Sequence, residues 1–74
     1  MSEQSPERDV VEALLENWRA EVQSARMYRE LAATERDPKR QGVLTRMAEA
    51  EDRHAARWAR KLREHGVEPA APEN

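Results

Sequence analysis

The stretch Glu35-Arg36-Asp37-Pro38 lies at the middle of this 74-residue sequence and divides it into two halves of similar length. Asp37 is a favourable N-cap residue and Pro38 suits the first position of a helix, so a helix is expected to begin here. A residue that precedes proline disfavours the α conformation, so the preceding helix should end by Asp37. The stretch therefore predicts a very short turn between two helices.

The flanking signals give these two helices their expected lengths. Ser5-Pro6-Glu7 repeats the same cap-and-proline pattern near the N-terminus, and Gly66 is placed as the left-handed residue that follows the second helix. We expect helices over residues 6–36 and 38–65. The predicted fold class is all-α, an antiparallel two-helix hairpin.

Composition supports this fold and shows what it lacks. The chain is 38% charged and 38% hydrophobic, with 12 alanines, three aromatic residues and no cysteine. A chain this short with few large apolar side chains needs an additional stabilising device, and disulfides are excluded. The predicted organisation is a disordered N-terminus (1–5), the hairpin (6–66) and a Pro/Ala-rich tail or linker (67–74).

Charge and hydropathy restrict the expected partners and location. The net charge is -2 with both signs interspersed, so no basic field suited to nucleic acid is present. No apolar run approaches the roughly 18 residues needed to span a bilayer, and no secretory signal is found. We therefore expect a cytoplasmic protein that binds no nucleic acid.

Three polar residues interrupt the heptad pattern of apolar positions. Glu21 falls on the heptad of the first helix, and Glu51 and His54 fall on that of the second. Glu21 lies sixteen residues before Asp37, while Glu51 and His54 lie fourteen and seventeen after it, so all three should meet at one level. Glu51 and His54 form an E-x-x-H pair on one side of their helix.

A pair of such hairpins would complete both a core and a site. Two copies related by a two-fold axis form a four-helix bundle with four Glu and two His at one level, the set that di-iron and di-manganese bundles use. Two divalent cations balance four carboxylates, and oxygen and nitrogen donors suit Fe, Mn or, less specifically, Zn. The alternative is a non-catalytic helical interaction module, in which this polar layer only sets the pairing of helices.

Two stretches resemble a known family. Glu21-Val22-Gln23-Ser24-Ala25-Arg26-Met27-Tyr28 and Ala48-Glu49-Ala50-Glu51-Asp52-Arg53-His54-Ala55 resemble the first two helices of the rubrerythrin-like branch of the ferritin-like superfamily. The resemblance covers about residues 10–65 and implies a ferritin-like bundle built from two half-length chains.

The resemblance also implies roles for individual residues. Glu21 matches the first-helix iron ligand, Glu51 the bridging glutamate and His54 the histidine ligand, so these three are the candidate catalytic and metal-binding residues. Tyr28 matches a tyrosine two helical turns after the first ligand and is expected to hydrogen-bond a ligating carboxylate.

The implied activity is ferroxidase, the oxidation of iron(II) by dioxygen at a di-iron site shared by a homodimer or higher homo-oligomer. Half-length chains of this kind occur in encapsulated ferritins, and a similar segment precedes the membrane domain of bacterial relatives of vacuolar iron transporters. The resemblance thus implies iron storage inside an encapsulin shell, or iron export or detoxification beside a C-terminal transporter domain at the cytoplasmic face of a membrane. The sequence leaves both contexts open.

Overall fold

The computed structural model describes residues 6–70, which form two antiparallel helices. Helix α1 spans Pro6–Thr34 and helix α2 spans Pro38–Glu64, with no strand among the described residues. This confirms the all-α hairpin. The helices end two residues and one residue earlier than predicted. The predictions for residues 1–5, including the Ser5 cap, and for residues 71–74 lie outside the described residues.

The connection between the helices is held by the side chains that the sequence places there. Asp37 has extended φ and ψ of -80° and 118°, and its carboxylate accepts a hydrogen bond from the backbone N–H of Lys39 at 3.4 Å. Glu35 Oε2 accepts from the Asp37 N–H at 3.1 Å and from Arg40 Nε at 3.2 Å. These two donors lower the pKa of Glu35. Hydrogen bonds of polar side chains therefore hold the turn, in addition to the proline that begins the second helix.

The C-terminal end of α2 is closed by a Schellman motif. Gly66 has φ of 77°, a conformation that glycine adopts without a Cβ clash. Its N–H donates to Arg63 O, and the Val67 N–H donates to Leu62 O, both at 2.9 Å. Gly66 is thus confirmed as the residue that terminates the second helix.

The two helices contact each other mainly through alanines. Every buried side chain among the described residues is apolar. Small side chains let two helix backbones approach closely, but each contributes little apolar area. We call this set the hairpin interface; it consists of Leu14, Ala25, Ala32, Ala48, Ala55, Ala59 and Leu62.

A second side of the hairpin carries larger side chains that neither helix covers. We call it the open face, and define it by Glu21, Glu51 and His54 with the apolar residues Leu31, Val43, Leu44 and Met47. Leu31, Val43 and Met47 are 47%, 46% and 39% exposed. Leu31, Val43 and Leu44 line one groove close to the turn. Among the heptad positions of α2, Met47 and His54 are exposed and Leu44, Glu51 and Trp58 are half-buried. The buried residues of this helix lie on one flank of that line, at Ala48, Ala55, Ala59 and Leu62.

Candidate metal centre

The three polar heptad residues meet near the middle of both helices. Glu21 comes from α1, and Glu51 and His54 come from successive turns of α2. One ligand atom from each lies within 4.8 Å of the other two. The sequence predicts that these three residues lie at the same level along the two helices, and the folded hairpin places them so. The three residues are the one such group of His and acidic side chains found among the described residues.

The distances within the group are compatible with shared coordination. His54 Nδ1 lies 3.3 Å from Glu51 Oε1 and 3.6 Å from Glu21 Oε1. Ligand atoms that bind one ion at about 2.0–2.2 Å are about 2.8–3.6 Å apart when they subtend 90–109°. The side chains of Glu21, Glu51 and His54 are 25%, 21% and 46% exposed, so an ion can reach them from the open face.

The two carboxyl groups interact strongly with each other. The hydrogen bond from Glu51 is the main cause that lowers the pKa of Glu21, and burial opposes it. The same contact raises the pKa of Glu51, and burial raises it further. Two carboxyl groups this close disfavour each other's charge when no cation lies between them. A cation bound here would favour the ionised form of both groups.

No lysine or arginine neutralises the pair. Within residues 6–70, the ion pairs of Glu21 and Glu51 are with His54 alone. Buried or half-buried carboxylates normally have a cationic partner, because desolvation penalises their charge. The donor set is two oxygens and one nitrogen without sulfur, which suits iron, manganese or zinc. The chain's own residues therefore fit a divalent metal ion.

One contact of the site was missed by the sequence reasoning. Trp58 Nε1 donates a hydrogen bond to Glu21 Oε2 at 3.3 Å, across the two helices. Trp58 is only half-buried. Its position seven residues after Glu51, on the same face of α2, was the available signal.

The structure does not give Tyr28 the expected contact. The tyrosine is half-buried, and its hydroxyl forms no hydrogen bond with any described residue. Its role beside a ligating carboxylate stays a prediction. The hydrogen bond that a ligating carboxylate accepts from an aromatic side chain in this hairpin comes instead from the indole of Trp58, which donates to Glu21.

The hairpin and its Glu, Glu and His group define a helical domain with a carboxylate-rich group that could hold a metal ion. The family model described as Rubrerythrin matches residues 12–73, most of the chain. The protein therefore belongs to the rubrerythrin family of the ferritin-like superfamily, as its sequence motifs indicate, and its two-helix hairpin is consistent with half of a four-helix bundle. No curated protein and no solved structure is significantly similar to it.

Neither helix of the described chain is long and apolar enough to cross a membrane.

Proposed function

We propose that this protein is a ferroxidase that oxidises iron(II) at a di-iron site assembled between two chains. The observation that carries the proposal is the Glu21, Glu51 and His54 group on the open face, with ligand atoms within 4.8 Å and no lysine or arginine paired to it in the described residues. Membership of the rubrerythrin family supports the same metal chemistry. Two iron(II) ions bound side by side can each give one electron to dioxygen.

Each of the three residues has a distinct part in the proposal. Glu51, whose Oε1 lies 3.3 Å from His54 Nδ1, would take the part of the bridging carboxylate that the family resemblance implies. Glu21 and His54 are terminal ligands, one from each helix. The pKa of Glu51 is raised by its contact with Glu21 and by burial, and a metal ion binds the ionised carboxylate, so iron binding should weaken at acid pH.

A second copy of the chain supplies the other half of the site. Three ligands are too few to hold two ions, whereas two copies provide four carboxylates and two imidazoles. The exposed Leu31, Val43 and Met47 on the same open face give such a dimer apolar contact area. We propose a homodimer as the smallest active unit, working in the cytoplasm, with no nucleic acid involved.

The destination of the oxidised iron follows from the assembly in which the dimer sits. Storage inside an encapsulin shell and delivery to a membrane transporter domain both remain proposals. Either context uses the same first step, the oxidation of iron(II) at Glu21, Glu51 and His54.

The experiment combines native mass spectrometry with iron oxidation. The full chain is loaded anaerobically with iron(II), its mass and metal content are measured together, and air is then admitted while iron(III) absorbance is recorded. We expect two irons per dimer and rapid oxidation. Glu51→Ala should lose both, and Glu49→Ala, an exposed acid two residues away on the same helix, should lose neither.

Two outcomes contradict the proposal. One is a folded Glu51→Ala protein that oxidises iron(II) as fast as the parent. The other is a metal-free dimer that is indifferent to iron(II), which would favour the interaction-module alternative. In that case Glu51→Leu should also stabilise the dimer, because a buried polar layer normally costs stability.

A further inference from the structure

The two oxygens of Glu21 have different neighbours in the folded hairpin. Oε2 accepts the hydrogen bond of the Trp58 indole at 3.3 Å. Oε1 lies 3.6 Å from His54 Nδ1, toward the candidate metal position. An indole N–H can only donate, so it can be satisfied by a carboxylate oxygen but cannot itself bind a cation. The contact therefore distinguishes the two oxygens of Glu21: Oε2 accepts the indole hydrogen bond, and Oε1 lies toward the candidate metal position.

The chain contains a second tryptophan, Trp18, that serves as a comparison for Trp58. Trp18 lies on the same helix as Glu21 and is half-buried like Trp58, but it forms no hydrogen bond with any described residue. The two indoles thus differ in whether the N–H donates a hydrogen bond to a residue of the site. Phenylalanine in place of either ring would keep most of the apolar area, and only at Trp58 would it remove a donor to Glu21.

We propose that Trp58 is a positioning residue: its indole N–H holds Glu21 Oε2, so that Oε1 is presented to the metal beside Glu51 and His54. This inference rests on the proposed metal site and deepens it. Hydrogen-bond donors behind a ligating carboxylate fix its orientation before the metal arrives, and their loss typically lowers metal affinity about 10–100-fold.

The test compares Trp58→Phe with Trp18→Phe, using Co(II) as a probe that air does not oxidise. Co(II) affinity is measured by calorimetry, its visible absorption reports the ligand set, and native mass and helix content are recorded for each protein. We expect Trp58→Phe to bind Co(II) on the order of 10-fold more weakly or worse, with a changed absorption spectrum and an unchanged dimer. Trp18→Phe should stay within about twofold of the parent.

The outcomes separate this inference from the proposed function. Equal Co(II) affinity and equal spectra for the parent and Trp58→Phe would overturn the role of Trp58 while leaving the metal site intact. A parent protein that binds neither Co(II) nor iron(II) would overturn the metal site, and this inference with it. Equal weakening in both tryptophan variants would assign the effect to packing and overturn the positioning role.

A second measurement does not depend on the folding of Trp58→Phe. The indole N–H resonance of Trp58 is observed by NMR in Trp18→Phe protein, where it is the one tryptophan signal. We expect it to be protected from exchange and to shift when Zn(II) is added or when Glu21 is replaced in Glu21→Gln. A resonance that exchanges with water and responds to neither change would overturn the proposal.

Discussion

The hairpin interface and the open face differ in what fills them. The interface between α1 and α2 is built mostly from alanine, with Leu14 and Leu62 as its large side chains. The open face carries larger apolar side chains and the Glu21, Glu51 and His54 group, all at least partly exposed. This chain therefore places more of its bulky side chains where the hairpin alone cannot bury them.

One surface holds the single chain together, and the other is left for the proposed partner and metal. Alanines allow close approach of two helices and require no precise fit, so the hairpin forms from one chain. They also bury little apolar area, so an isolated hairpin should be weakly stable. The open face is suited to a partner and a metal, which together can supply the missing stabilisation. Four predictions test this division.

The largest effect is expected at the interface. Leu62 is fully buried, so Leu62→Ala removes buried methyl groups and leaves a cavity, with an expected loss of about 2–5 kcal/mol in the free energy of unfolding. Urea denaturation followed by circular dichroism measures it. Arg60→Ala, an exposed neighbour, should change the free energy by less than about 0.5 kcal/mol. Equal effects would show that the interface is not the core.

The second effect is stabilisation by metal at the open face. Metal that binds the folded state and not the unfolded state raises the free energy of unfolding. At a free Co(II) concentration about 100 times its Kd, the increase is about 2.7 kcal/mol. Thermal melts with and without Co(II) measure this shift in the parent and in Glu51→Gln. We expect the variant to lose the shift and Glu49→Gln to keep it. A shift that survives in Glu51→Gln would place the metal elsewhere.

The third effect concerns the partner. Leu31→Glu puts a charge among the exposed apolar residues of the open face and should weaken the proposed dimer about tenfold or more, or about 1.4 kcal/mol. Sedimentation equilibrium measures the dimer constant. Ala33→Glu adds the same charge at an exposed position two residues away and serves as the control. If both variants dimerise like the parent, the open face is not the contact surface.

The smallest effect is expected at the turn that joins the two helices. No buried residue among those described is titratable, so acid should act outside the interface. The pKa of Glu35 is lowered by the N–H of Asp37 and by Arg40. Its contribution is therefore present above the unfolded pKa of about 4.3 and is lost as the pH falls through the lower folded value.

Melting temperatures between pH 3 and 7 test this prediction. Glu35→Gln should melt below the parent at neutral pH, and the difference should shrink as the pH falls towards the acid end of the series. Glu30→Gln, at an exposed site on α1, should follow the parent throughout. A constant difference between parent and Glu35→Gln at every pH would contradict the assigned cause.

Local signals were sufficient for the outline of the fold. Asp37 and Pro38 locate the start of α2, and Gly66 locates its end, because caps and left-handed positions depend on a few neighbouring residues. Register across a short turn likewise places Glu21 level with Glu51 and His54. The heptad pattern alone did not show which flank of α2 faces α1, since both flanks of the central line carry apolar residues.

The sequence by itself determined two helices, their turn, the family and the three residues that meet at mid-length. Only the tertiary structure decided that alanines fill the hairpin interface, which flank of the α2 heptad line is buried, and that Trp58 donates to Glu21. The physical reason is the range of the interactions. Caps and helical periodicity act within a few residues, whereas the Trp58 contact joins residues 37 positions apart and depends on how two helices rotate against each other.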